Sequence, residues 1–147
     1  MTRYFLGVLA YTVPTFVLGF VWHLMLFERY YAGLGIYRSD VIIPFGLLSM
    51  LIQAAIFAWV YEKAFVRLNG SFLSRALFYA AFGAVLSWSF TTLAVAAKNV
   101  MTSVPAYLAI ETAFTVVQWL MVGPLTVLAF GPPLRRDGEL GAPEAAA

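Results

Sequence analysis

The sequence predicts an all-α membrane protein, an up-down-up-down bundle of four transmembrane helices. Of its 147 residues, 63% are hydrophobic and only 11% are charged, whereas a soluble domain carries about 25% charged residues. Aromatic residues make up 17% of the chain, which excludes an ordinary disordered chain. Four apolar runs each reach the length of about 20 residues that a bilayer requires. We assign them to one domain over residues 1–131, which leaves a tail over 132–147.

The first apolar run, Tyr4–Phe27, is predicted to be a retained transmembrane helix and not a signal peptide. It is 24 residues long, whereas the apolar core of a signal peptide has about 7–15 residues. Pro14 lies inside the run and removes one backbone donor, so we expect a kink near Tyr11. His23, the chain's one histidine, shares a helix face with Gly19 near the far end.

The second helix is predicted over Val41–Tyr61, after a loop that lies along the membrane surface. This loop, Glu28–Asp40, has balanced charges and three tyrosines, which suit the headgroup layer. Ser39 or Asp40 is the expected N-terminal cap of the helix. Pro44 falls in its first turn, where the missing N–H costs little.

Small residues at four-residue spacing predict helix-packing faces on the second and third helices. Ala54 and Ala58 let a neighbouring helix approach the second helix closely. The third helix is predicted over Ala76–Ala97, after a basic loop over Glu62–Arg75. One of its faces carries small and hydroxylated residues, so we expect it in the middle of the bundle. These residues are Ala76, Ala80, Gly83, Ser87 and Thr91.

The fourth helix is predicted over Tyr107–Phe130, with Ser103 as its cap. It carries one carboxylate, Glu111, and one amide, Gln118, with Thr115 between them on the same face. A charged side chain in the bilayer centre costs about 2.5–3.5 kcal/mol on insertion scales. Glu111 therefore requires either a partner or a function.

The distribution of lysine and arginine predicts that both termini are cytoplasmic, because basic residues favour that side. Six basic residues fall on the predicted inner side: Arg3, Lys63, Arg67, Arg75, Arg135 and Arg136. Three fall on the other side: Arg29, Arg38 and Lys98. The tail over 132–147 is rich in proline, glycine and alanine, and we expect it to be disordered in the cytoplasm.

The polar residues at membrane depth predict one candidate ion or proton site. His23, Lys98 and Glu111 fall in the outer leaflet, and Gln53 and Gln118 lie near the midplane. Either Glu111 pairs with Lys98 or reaches the surface, or it is a functional ionisable group. One histidine and one carboxylate are too few ligands for a zinc or copper site, so we assign no metal. The glutamines are also compatible with hydrogen bonding between helices.

The absent motifs argue against several enzyme classes. With no cysteine, the chain has no disulfide and no thiolate nucleophile. It also has no Walker loop, no H-E-x-x-H and no G-x-S-x-G motif, so we assign no catalytic residue and no cofactor. The basic residues flank apolar runs, which indicates the lipid bilayer and not nucleic acid as partner.

Two functional interpretations remain open. The first is a structural or accessory subunit that forms a homo-oligomer or joins a larger membrane complex, which the small-residue faces favour. The second is a small oligomeric transporter or proton-relay protein that uses Glu111 and His23. A membrane-embedded enzyme ranks last, because these two residues are all that it would have.

One stretch of the chain resembles a family of small four-helix bacterial membrane proteins of unknown function. The resemblance rests on V-L-G-F-V-W-H-L-M-L-F at Val17–Phe27, on Tyr30 and Tyr31, and on the Pro-Phe-Gly helix start at Pro44–Gly46. It implies four transmembrane helices in a bacterial inner membrane, and it brings no established activity. His23 stands where we expect an aromatic residue in that family.

Overall fold

The computed structural model describes residues 1–38 and 40–132, and the regular secondary structure in both ranges is helical. Four helices are long and apolar enough to cross a membrane: α1 (Thr2–Leu26), α3 (Ile43–Phe65), α4 (Phe72–Lys98) and α5 (Val104–Phe130). A short helix, α2 (Glu28–Leu34), follows the first of them. The predicted all-α bundle of four long apolar helices is confirmed. The predicted disorder of the tail concerns residues that, from 133 onward, lie outside the described ranges.

The connection between α3 and α4 is much shorter than the sequence predicted. The helix α3 continues to Phe65 and α4 begins at Phe72, so most of the predicted loop Glu62–Arg75 is helical. Ser71 caps α4 by accepting a hydrogen bond from the backbone amide of Ser74 at 3.2 Å. Arg75 therefore lies in the first turns of a helix, where it is buried, and not in a solvated loop.

The predicted N-terminal caps of α5 and α3 gave different outcomes. Ser103 caps α5 as predicted, accepting from the backbone amide of Ala106 at 3.4 Å. The predicted Asp40 cap of α3 is wrong, because α3 begins after Ile42 and the Asp40 carboxylate instead pairs with Arg38 at 3.1 Å. Ser39, the other candidate, lies outside the described residues.

The central helix of the bundle is α5. It packs along α1 on one side and α4 on the other, and α3 packs on α1, with Phe57 of α3 also reaching Trp119 of α5. In α5, 44% of the most apolar stretch is buried, against 17% in α4. The prediction that the third transmembrane helix lies in the middle is therefore wrong. The fourth takes that place because it buries residues on more than one face, with Gln118 against α1 and Gly123 against α4.

The two ends of the bundle differ in how closely α3 and α4 approach each other. A Cβ placed on Gly131, just after α5, would lie 3.9 Å from the guanidinium of Arg3. The start of α1 and the end of α5 are therefore at the same end of the bundle. We call this end the termini end, and the opposite end, which carries α2, the α2 end. At the termini end α3 meets α4, where Tyr79 donates a hydrogen bond to the carbonyl of Phe57 at 3.0 Å. Elsewhere in the described residues these two helices make little contact.

The small residues that predicted packing faces lie inside the chain. Ala54, Ala58 and Ala80 are buried against neighbouring helices. Gly83 of α4 faces the ring of Trp119 on α5 so closely that a Cβ would overlap the indole. These residues hold the four helices of one chain together, so they give no indication by themselves of a second chain.

Candidate functional site

A cavity of about 410 Å³ occupies the half of the bundle towards the α2 end. All four long helices line it, and Tyr37 and Val41, from the segment between α2 and α3, also contribute. Its surface is mainly apolar, but the polar residues of the chain's interior converge on it. These are Thr15, His23, Tyr37, Ser49, Gln53, Ser87, Thr91, Glu111, Thr115 and Gln118.

The cavity wall contains a carboxylate and an imidazole in direct contact, and a buried phenol behind them contacts the carboxylate. His23 Nε2 lies 3.3 Å from Glu111 Oε1, and Tyr31 donates a hydrogen bond to the same oxygen at 2.7 Å. We call these three residues the Glu111 cluster. Tyr31 is fully buried, whereas the side chains of His23 and Glu111 are 19% and 14% exposed. The cluster is therefore shielded from bulk water and still open to the cavity.

Three different elements bring the cluster together. Glu111 lies about two turns into α5, and His23 lies in a π-helical turn, Trp22–Leu26, at the end of α1. Such turns are frequent at functional sites because they change the direction of a few side chains. The helix α2 then carries Tyr31 back over the bundle, held there by a hydrogen bond from the Thr102 amide to the Leu34 carbonyl at 3.1 Å.

The hydrogen bonds of His23 fix where its protons lie. Its Nδ1 lies 3.0 Å from the carbonyl oxygen of Gly19, which accepts only, so Nδ1 carries a proton. In a neutral imidazole Nε2 then has a lone pair, which would repel an ionised carboxylate. The contact between Nε2 and Glu111 Oε1 is attractive only when one proton lies between them. The pair is therefore built to hold one shared proton.

Aromatic rings surround the cluster. Phe114 meets the imidazole of His23 edge-on at 4.5 Å, and Tyr37 stacks on Tyr31 at 4.9 Å. Burial, together with the neighbouring carboxylate of Glu111, raises the pKa of Tyr31 well above its ordinary value. Tyr31 therefore stays neutral and remains a hydrogen-bond donor to Glu111.

A second polar network forms the floor of the cavity. Gln118 donates to Thr15 Oγ1 at 3.2 Å and to Tyr11 Oη at 3.4 Å. Tyr11 donates to Gln53 Oε1 at 2.8 Å, and the amide nitrogen of Gln53 donates to Ser49 at 3.0 Å. This network joins α5, α1 and α3 at about mid-bundle, so the two predicted glutamines bond between helices and also face the cavity.

Below this floor the interior is filled by rings. Tyr11, Phe57 and Tyr79 each pack edge-on against Trp119, with ring centroids 4.7–5.7 Å apart. We call these four residues the aromatic layer. It closes the cavity towards the termini end, so polar groups line a path through only half of the bundle.

The other predicted site residues are placed as follows. Lys98 is exposed and does not pair with Glu111, since the ion pairs of the described residues are His23–Glu111 and Arg38–Asp40. Ser87 accepts a hydrogen bond from Trp119 Nε1 at 2.6 Å, and Thr91 donates to the Ser87 carbonyl at 2.6 Å. Both also line the cavity.

Sequence reasoning missed two members of the site, Tyr31 and Tyr37, because it placed them in the headgroup layer. The available signal was their position shortly after His23, in the connection between the first two transmembrane helices. Within residues 1–38 and 40–132, no group of three or more His, Asp or Glu side chains is placed to hold a metal ion. Comparison of the chain with protein-family models, curated proteins and solved structures gives no match.

Proposed function

We propose that this protein binds a small amphipathic cation in the cavity, in exchange for the proton that His23 and Glu111 share. The observation that carries the proposal is a carboxylate at membrane depth that lines an open cavity and already has a proton partner. In this role the chain is a small transporter of a bacterial inner membrane. Its basic residues favour cytoplasmic termini and an outward-facing cavity.

The charge of the cluster supports a cationic ligand. With its shared proton the His23–Glu111 pair is neutral overall, and without it the pair carries one negative charge at low dielectric. A bound cation restores neutrality when the proton leaves. Glu111 Oε2 has no hydrogen-bond partner among the described residues and is not sealed off, so this oxygen is free to meet the cation.

The remaining lining supports a ligand with apolar substituents. The cavity is mainly apolar, and its volume of about 410 Å³ lies within the usual range for small-molecule sites, about 300–1,000 Å³. Phe114 and Tyr37 border the cluster, and aromatic faces attract organic cations. The cavity also lies between α3 and α4, where those helices have separated, so the ligand has a route from the surrounding lipid.

Binding of tetraphenylphosphonium, a lipophilic cation, to the purified full-length protein tests the proposal. We expect saturable binding that weakens as the pH falls, because protons compete for Glu111. The substitution Glu111→Gln should weaken binding about tenfold or more, since it removes the negative charge that pairs with the cation. Lys98→Gln, at an exposed position outside the cavity, should leave binding unchanged. Equal binding by the wild type and Glu111→Gln would refute the proposal.

The second interpretation, an accessory subunit in a homo-oligomer or a larger membrane complex, remains a prediction. It rested on small-residue faces that this chain uses internally. An oligomer is still compatible with transport, because the aromatic layer blocks the path through one chain and has to move or be bypassed. The family resemblance, which brings no activity, favours neither interpretation.

A further inference from the structure

A second buried ionisable residue lies far from the cavity. Arg75 is only 6% exposed, in the first turns of α4 at the termini end. Two of its guanidinium nitrogens, Nε and Nη1, are buried without a hydrogen-bond partner among the described residues. A buried charge without a partner is strongly destabilising, so this cation requires an anion.

The surroundings of Arg75 also favour an anion. Tyr61, near the end of α3, is fully buried and packs edge-on against Tyr79, one turn after Arg75 on α4, with ring centroids 4.9 Å apart. Its hydroxyl has no partner in the described chain. A hydroxyl group is a donor that an anion accepts from. The N-terminus of α4 adds the positive end of the helix dipole. Glu62, the nearby carboxylate, is exposed and forms no ion pair with Arg75.

The position of the two residues identifies the class of anion. Both lie near the ends of apolar helices, where a lipid headgroup layer is expected. The exposed residues Arg3, Lys63 and Arg67 give that end of the bundle further positive charge. Arginine forms bidentate hydrogen bonds with phosphate. We propose that Arg75 and Tyr61 bind the phosphate group of a phospholipid headgroup at the termini end.

Native mass spectrometry of the full chain, released from detergent with added lipid, tests this site. The wild type should retain one dioleoylphosphatidylglycerol and should not retain dioleoylglycerol, which has no phosphate. Arg75→Met should lower the retained fraction about tenfold, because it removes the charge-assisted hydrogen bonds. Arg67→Gln is the matched control, because it also removes one positive charge at the termini end but at an exposed position. This variant should retain the lipid as the wild type does.

Two further measurements keep the proposal testable if Arg75→Met does not fold. Tyr61→Phe removes only the hydroxyl and should reduce retention several-fold in a folded protein. Phosphatidylglycerol should raise the thermal midpoint of the wild type, and dioleoylglycerol should not, since only a ligand of the folded state stabilises it. Equal retention of both lipids would overturn the proposal. Displacement of the lipid by an equal concentration of inorganic phosphate would overturn the assignment to a lipid. The assignment would also fail if Arg75→Met no longer lowered lipid retention in a chain truncated after Pro132.

Discussion

Tyr31 supports the carboxylate of the cavity wall although it does not line the cavity itself. Its hydroxyl donates to Glu111 Oε1 at 2.7 Å, on the same oxygen that His23 approaches. This hydrogen bond and the contact with His23 both engage Oε1, so Glu111 Oε2 stays free to meet the proposed cation.

We predict that Tyr31→Phe weakens tetraphenylphosphonium binding about tenfold at a fixed pH, because the lost hydrogen bond stabilises the carboxylate that binds the cation. The neighbouring change Tyr30→Phe is the matched control. The Tyr30 ring is 44% exposed and its hydroxyl contacts only the Ala106 carbonyl, at 3.4 Å. If the two variants bound the cation equally well, Tyr31 would have no part in the site.

The sequence could predict that Glu111 and His23 matter, but it could not pair them. The free-energy cost of placing these two side chains in lipid follows from residue type and depth alone. Their contact depends on how α1 is rotated against α5, and the π-helical turn at Trp22–Leu26 sets that rotation locally. Lys98 was an equally good partner by depth. It stays outside because the last turn of α4 packs Val95 and Ala96 against the buried residues around Tyr31 and leaves Lys98 exposed.

The helices were predicted well because lipid restricts the backbone. Every peptide group in the hydrocarbon layer must be bonded within its own helix, so an apolar run of sufficient length is enough to identify a span. The loop ends were less predictable. In the stretch around Arg75, charged residues indicated a loop, whereas the Ser71 cap and the apolar neighbours of Arg75 extend α4 over it.

At the scale of helix pairs, we predict that Gly83→Ala destabilises the bundle by about 1–3 kcal/mol, the usual cost of overpacking. The added Cβ would overlap the ring of Trp119, which is held between α4 and α5 and cannot retreat from the aromatic layer. Unfolding in mixed micelles of dodecylmaltoside and SDS, followed by circular dichroism, measures the change.

Gly46→Ala is the control for this measurement. Gly46 is also a helical glycine in a transmembrane helix, but a Cβ placed there meets nothing within 4 Å. We expect no loss of stability from it, because alanine has the higher helix propensity. Equal destabilisation by both substitutions would mean that the contact between Gly83 and Trp119 does not hold α4 against α5.

At the scale of the whole molecule, the helix order explains the shape of the cavity. Because α1 and α5 pack side by side, α3 and α4 lie on opposite flanks and make little contact except towards the termini end. The cavity fills the space that they leave towards the α2 end. A four-helix bundle was predictable from the apolar runs. Which helices pack against each other was not predictable, because Ala80 and Gly83 indicate a packing face but do not identify the helix that packs on it.

Isothermal titration calorimetry of tetraphenylphosphonium binding, in two buffers of different ionisation enthalpy, counts the protons released per cation and tests the exchange most directly. It is best done at the pH where affinity changes most steeply. We predict release of close to one proton by the wild type and of none by Glu111→Gln. Binding without proton release, or release that persists in Glu111→Gln, would contradict the claim that the His23–Glu111 pair exchanges its proton for a cation.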